Sequence, residues 1–487
     1  PVGDADDGAG DFDTVVVGGS VGPSGIARAA HAVRAGGHLV VEVESLVGGD
    51  RSRAGRPGDA VRIARALAAG GFDVRSWWAW PALGRAAGFA SFEDRAAIKA
   101  LVRSRAGRRR WASLAPAVSV AARARVFPSL VPGAVLVARR GPAGPTLIER
   151  RLDVRPDAGG SDRCGCLLLT PRYRASAHVV GLAVDGNGRI DRVAKVARLR
   201  DDVSLVHEAA VLRALAHAPA TMGTAPTLID APGLAVDIGE DPWPILVEGA
   251  VDGPRLEPAV VRADRAGALA GIERWLATLP VVQRGADEPP DDASASRIDV
   301  ALAAVEGIAD GSPAGDTLRA LAGRTRGVVA RLAGTPLPRV FEHGDAAHPN
   351  LISLADGRIG AVDWERGEPD GLPLHDLSMA TAYLAAAAHG ATRAADQAAA
   401  YRAALSGTDA WAADALDREA IRVAIPTAYR PALVVAAWAR SAGWLATRLG
   451  GESRSADDRR EDDLVTWLAG DRSVALWAVA LDLAEAA

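Results

Sequence analysis

The chain has 487 residues, of which 49% are hydrophobic and 24% charged, enough to bury several cores and to form two or three domains. A formal net charge of -4 supplies no basic field for nucleic acid or an anionic membrane, and no run of 18 or more uninterrupted apolar residues predicts a spanning helix. No secretory pattern is present, and the only cysteines, Cys164 and Cys166, are too few to close a structural zinc site, so the reading is a cytoplasmic protein with reduced thiols.

The first ten residues, rich in Gly and Asp, read as disordered. Phe12 to Gly18 and His38 to Val43 are β-branched runs bounded by glycines and predict buried strands, with a short helix over Ile26 to Arg34 between them. Ala60 to Ala69 predicts a second helix, and Val74 to Trp80 an extended segment. An Arg-rich helical stretch follows from Asp94 to about Arg125, in which Arg108-Arg109-Arg110 reads as a solvated face, and Gly133 to Ala138 is a closing strand. Gly19, Gly22 and Gly25 lack the Lys-Ser/Thr ending of a phosphate loop. The Pro/Gly/Asp-rich stretches at 141–145 and 153–162 predict a linker.

Leu167 to Thr170, His178 to Asp185 and Arg192 to Arg198 then predict strands, the last two joined at Asn187-Gly188, a dipeptide that tolerates positive φ. Ser204 to Ala216 predicts a helix with Val206, Ala210 and Leu215 on its apolar face, and Pro244 to Glu248 another strand. From Val260 the chain reads as mainly helical, interrupted by a polar, mobile loop at Arg284 to Arg297 and closed by an apolar helix around Val474 to Leu483.

The segment carrying chemistry is FEHGDAAHPNLISLADGRIGAVDWE, Phe341 to Glu365. A turn with His343, Gly344 and Asp345 leads to Asn350, a strand, the hairpin turn Asp356-Gly357, a returning strand, and Asp363 at its end. Such a hairpin brings Asp345, Asn350 and Asp363 to one end. Two carboxylates and an amide oxygen suit Mg²⁺, which takes few protein ligands beside phosphate oxygens. Asp345 can accept the hydrogen of an acceptor hydroxyl and align it for in-line attack. His343 and His348 lack a third soft ligand for a metal site. Of 56 basic residues only Lys99 and Lys195 are lysines, and a lysine retained in so arginine-rich a chain points to a need for its compact ammonium. Lys99 reads as chance survival, whereas Lys195 lies mid-strand and needs a partner, for which Glu208 on the next helix is the candidate.

The pattern H-G-D-x-x-x-x-N, an apolar strand, D-W-E and then Gly371-Leu372-Pro373-Leu374-His375-Asp376-Leu377 resembles the aminoglycoside phosphotransferase and choline kinase family. The resemblance implies an α+β protein-kinase-like fold over residues 165–487, with a small β-rich lobe at 164–249 and a mainly helical lobe at 250–487. It implies a kinase moving the γ-phosphoryl group of ATP, or alternatively GTP, to a hydroxyl of a small molecule (a sugar, an amino alcohol or an aminoglycoside-like acceptor), with Mg²⁺. Asp345 would be catalytic, and Asn350 and Asp363 the metal ligands. His343 and Asp376 would be structural, Lys195 and Glu208 would aim at phosphates, and the backbone of Glu248 and Gly249 would hold adenine. The phosphate-covering loop, at Arg174 to His178 with Ser176, is the weakest match. The acceptor pocket is expected from 260–279 and 383–449, where Trp411, Trp438 and Trp444 either line it or belong to the core. Residues 1–145, before a linker at 146–163, resemble the second half of a Rossmann-like S-adenosylmethionine-dependent methyltransferase without its cofactor loop. That leaves a smaller, incomplete α/β domain serving as a protein-docking or dimer platform. Two alternatives stand beside the kinase reading: a non-catalytic scaffold or nucleotide sensor, and a fused methyltransferase–kinase.

Overall fold

The computed structural model describes residues 12–18, 23–44, 59–80, 86–92, 94, 96–98, 100–101, 133–142, 144–154, 163–170, 178–199, 202–231, 243–283, 292–453 and 461–487. The glycines at 19 and 22, Lys99, Arg108 to Arg110, Ser176 and the polar stretch 284–291 therefore lie outside the described residues. The chain forms two compact units, residues 1–206 with 228–250, and residues 207–227 with 251–487.

The first unit is built on one ten-stranded sheet. Its elements are β1 (Phe12–Val17), α1 (Pro23–Ala32), β2 (Val33–Glu44), α2 (Asp59–Ala69), β3 (Phe72–Trp80), β4 (Gly88–Ser91), β5 (Gly133–Arg140), α3 (Leu147–Leu152), β6 (Arg163–Leu169), β7 (His178–Asp185) and β8 (Ile190–Ala197). α4 (Ser204–Leu215) leaves this unit at its third residue, and β9 (Leu228–Asp230) and β10 (Ile245–Gly249) return to it. The strand order is β1-β2-β5-β3-β4-β6-β7-β8-β10-β9. β1 and β2 are parallel across α1, as the β-α-β connection demands, and β5 inserts antiparallel between β2 and β3. Strand β2 starts at Val33, earlier than the expected His38, because Val33 already pairs with Phe12 before a register irregularity.

Short β4 joins the two halves of the sheet. It pairs with β3 on one side and β6 on the other, Gly88 opposite Leu169 and Ala90 opposite Leu167. A single core follows that junction: Trp78, Trp80, Ala90, Ile98 and Leu101 pack with Leu167 and Val184. The stretch expected as linker contains α3, whose Thr146 and Glu149 form a reciprocal capping box that satisfies two otherwise orphaned N–H donors. Buried Leu152 on this helix belongs to a core with Ala183, Ala194 and Val247. The β7–β8 turn is held by Asp185, whose Oδ1 accepts from the N–H groups of Asn187 and Arg189.

The second unit is mainly helical. It contains α5 (Pro258–Ala263), α6 (Arg265–Leu276), β11 (Val281–Val282), α7 (Asp292–Ile308), α8 (Pro313–Val329), β12 (Arg339–Glu342), β13 (Leu351–Ser353), β14 (Ile359–Ala361) and β15 (Glu368–Gly371). It continues with α9 (His375–His389), α10 (Ala394–Ser406), α11 (Trp411–Arg422), α12 (Arg430–Ser453), α13 (Glu461–Ala469) and α14 (Arg472–Ala486). Residues 292–297, expected as loop, are helical and form the first turns of α7. Gly443 lets α12 approach α7 closely, since a Cβ there would overlap Ala301. Among the described residues no helix is long and apolar enough to cross a membrane.

The buried face of α4 differs from the expected one. Leu205, Glu208, Ala209, Leu212 and Leu215 are buried, whereas Ala210 is exposed. Glu208, expected on this helix as the partner of Lys195, is buried on that face.

Candidate active site

Strand β12 ends at buried Glu342, and the chain turns sharply through His343, Gly344 and Asp345. Gly344 has φ +80°, and a Cβ on it would overlap the carbonyl oxygen of Arg366. Only glycine enters this turn without strain. The turn is pinned from α9: the N–H groups of His343 and Gly344 donate to the two oxygens of Asp376, at 2.7 and 2.9 Å. Burial, then the neighbouring Glu342 carboxylate, push the Asp376 carboxyl above its ordinary range, against the pull of those two donors.

His343 is fully buried between the turn and the returning strand. Its Nδ1 accepts from the Asp345 N–H at 3.2 Å, so the other nitrogen, Nε2, carries the hydrogen and donates to the Val362 carbonyl at 3.0 Å. The Trp364 ring lies against it, centroids 4.4 Å apart. The hairpin β13–β14 pairs Leu351 with Ala361, and the Val362 N–H donates to the Asn350 carbonyl. Asn350 and Asp363 consequently sit at the same end of the hairpin. The Asn350 amide nitrogen donates to the Asp345 carbonyl at 3.2 Å, which leaves its side-chain oxygen as an acceptor. Asp363 has φ +72°, a left-handed conformation that Asp tolerates better than most residues.

An Asp carboxylate and an amide oxygen at one strand end, near a second Asp, form a donor set of hard oxygens. It fits Mg²⁺ with two protein ligands, the remaining ligands coming from phosphate and water. Among the described residues no group of three or more His, Cys, Asp or Glu is placed to hold a metal by itself.

Several neighbours were not legible in the sequence. Glu208 accepts the Trp364 N–H at 2.9 Å, and so fixes the turn directly after Asp363. The buried Glu342 carboxylate takes both its oxygens to Arg440 of α12, at 2.9 and 2.7 Å, and accepts from the Leu372 N–H as well. Arg440 also contacts His375 Nδ1 at 3.2 Å, and burial outweighs the opposing pull of the Glu342 carboxylate and, helped by the Arg440 charge, keeps the imidazole neutral, near 4. Arg366 lies 3.8 Å from the Asp345 carboxylate, with its guanidinium carbon 3.3 Å from the centre of the Trp444 ring. A cavity of about 320 Å³ opens beside Gly344, lined by Glu342, Glu365, Arg366, His375, Arg440 and Trp444 among others. Of the tryptophans expected at a pocket, Trp444 lines this one, and Trp438, buried and donating to the Tyr401 hydroxyl, lines a second cavity with His348 and Tyr383.

The remaining expected residues belong to the first unit. Lys195 on β8 is buried, its ammonium 3.7 Å from the Glu248 carboxylate on β10. The strand register places Leu246 opposite Lys195, so Glu248, two residues on, shares its face. Gly249 pairs with Arg192 at the end of the ladder. The partner of Lys195 within its own unit is thus Glu248, whose carboxylate had no expected role.

A pinned His-Gly-Asp turn with Asn and Asp on the following hairpin, in an α+β frame with a β-rich sheet and a helical C-terminal region, defines a protein-kinase-like phosphotransferase. Residues 176–416 match the model of the phosphotransferase enzyme family. Similar solved structures include the ethanolamine kinase of Plasmodium vivax, 12% identical, with 69% of this chain and 86% of that one covered at a TM-score of 0.40. An aminoglycoside phosphotransferase from Alicyclobacillus acidocaldarius is 14% identical, covering 72% and 99% at 0.35. A glucosamine kinase is 17% identical, covering 64% and 98% at 0.32. No curated protein sequence matches the chain. None of these comparisons supports the methyltransferase resemblance expected of residues 1–145.

Proposed function

We propose that the chain transfers the γ-phosphoryl group of ATP to a hydroxyl of a small molecule. The observation carrying this reading is the turn: the Asp345 N–H donates to buried His343, and the His343 and Gly344 N–H groups before it donate to Asp376, next to the hairpin that bears Asn350 and Asp363. Phosphoryl transfer needs mainly positioning and neutralised charge, and this set supplies both. Asp345 orients the acceptor hydroxyl and takes its proton. The Asn350 side-chain oxygen and the Asp363 carboxylate would hold Mg²⁺, which supplies positive charge to the phosphate oxygens. Glu208 keeps Asp363 in place through the Trp364 N–H. Lys195, oriented by Glu248, would neutralise phosphate charge, and the backbone of Glu248 and Gly249 would receive the adenine.

Calorimetry with Mg-ATP and acceptor-independent ATP hydrolysis, in which water replaces the acceptor, test the reading together. Asp345→Asn is expected to bind Mg-ATP within about threefold of the parent chain and to lose on the order of 10²- to 10⁴-fold in hydrolysis. A parent chain that binds no Mg-ATP, or a variant that hydrolyses it as fast as the parent, sinks the proposal.

A further inference from the structure

The cavity beside the catalytic turn says which kind of acceptor fits. Three carboxylates and three guanidiniums line it: Glu342, Glu365 and Glu368 with Arg297, Arg366 and Arg440. Most of these are spent on one another. Glu342 and Arg440 form the buried pair, and Arg297 lies 3.9 Å from Glu368 and donates to the Asp370 carbonyl. Glu365 is engaged as well.

Arg366 is different. Its Nε is buried without a hydrogen-bond partner among the described residues, and its contact with Asp345, at 3.8 Å, is too long for a hydrogen bond. The side chain is nevertheless held in place, flat on Trp444, whose ring also lies 4.8 Å from the Arg448 guanidinium. A guanidinium fixed by stacking offers its terminal nitrogens as an oriented fork for a planar anion. The same stacking covers the aromatic face that would otherwise take up an ammonium group, since cations are drawn to such faces. A cationic acceptor would meet Arg366 instead and be repelled.

We infer that this cavity takes an acceptor bearing a carboxylate, a small hydroxy acid, with Arg366 as the residue that selects it. The inference rests on the phosphotransferase reading and deepens it. Arg366 lines the cavity and lies 3.8 Å from the Asp345 carboxylate, so an acceptor held by Arg366 has its carboxylate and its reacting hydroxyl separated by only a few bonds. In the transfer the acceptor oxygen forms a bond to the γ-phosphorus as the bond from that phosphorus to the β-phosphate bridging oxygen breaks. The electron pair leaves with ADP, and the hydroxyl proton passes to Asp345 and then to water.

Three matched three-carbon probes test this on the full chain: glycerate, glycerol and 3-amino-1,2-propanediol, titrated calorimetrically with Mg²⁺ and a non-hydrolysable ATP analogue bound. Glycerate is expected to bind about tenfold or more tighter than the neutral and cationic probes. Arg366→Gln is expected to erase that preference and Arg366→Lys to restore part of it, while the affinity for the ATP analogue stays unchanged. Equal or tighter binding of the amine, no binding of glycerate, or a preference that survives Arg366→Gln overturns the inference and leaves the phosphotransferase reading standing. Failure of the nucleotide analogue to bind overturns both.

Discussion

Asp376 accepts two backbone N–H groups from one turn, a task that needs two acceptor oxygens in one plane. Asparagine offers one oxygen and, in its other position, two donors that would face an N–H. Asp376→Asn is therefore expected to cost about 1–3 kcal/mol in chemical denaturation, through one lost bond and one buried donor left facing another. Asp94, in the first unit, carries a pH dependence. Its Oδ1 accepts from the Ala97 N–H and its Oδ2 from the Cys166 N–H, both at 2.8 Å. Burial outweighs these bonds and raises its pKa to about 6. Between the unfolded value of 3.8 and about 6 the folded chain binds more protons than the unfolded one. Its contribution is thus fully present below 3.8 and is lost as pH rises through about 6, a change of roughly 3 kcal/mol at most. Denaturation midpoints measured from pH 4 to pH 6.5 are expected to fall in the parent chain, with a flatter slope in Asp94→Asn.

At the scale of elements, the β12 turn and the β13–β14 hairpin act as one device. Gly344→Ala would combine a positive φ with overlap of the Arg366 carbonyl oxygen. Its expected effect is a loss of about 2 kcal/mol or more in stability and a fall in ATP hydrolysis larger than in Mg-ATP affinity, since Asp345 is the next residue. This device was legible in the sequence because it is local: turn, acid, hairpin and acid follow one another within 25 residues of chain. What locks it was not. Glu342 and Arg440 are 98 positions apart and Glu208 and Trp364 are 156 apart, so no spacing rule connects them. The α4 face was misread for a related reason: the apolar pattern named Ala210, which is exposed, and no local spacing shows that Glu208 is buried where it accepts the Trp364 N–H. Strands β1, β2, β3 and β5 were readable from their β-branched and aromatic runs. The four-residue β4, with one aromatic and no β-branched residue, carries too weak a signal to be seen.

On the scale of the molecule, β4 makes the N-terminal strands and the strands bearing Lys195 parts of one sheet. A chain starting at residue 143 would lose β1 to β5 and expose the edge of β6, with Leu167 and Val184 stripped of Trp78, Trp80 and Leu101. Exposed apolar edges pair with other chains, so this truncation is expected to aggregate on expression, as fractionation and light scattering would show. A soluble, monomeric product would mean that the β4–β6 junction contributes little. The same junction sets a timetable for synthesis. β4 ends at Ser91 and β6 begins at Arg163, so about 70 further residues must leave the ribosome before the outer edge of β4 finds its partner. During that interval the nascent chain carries Trp77, Trp78 and Trp80 on strands with no finished core, and β5 arrives only part-way through. The slowest folding step is expected there, well before the catalytic turn has been translated.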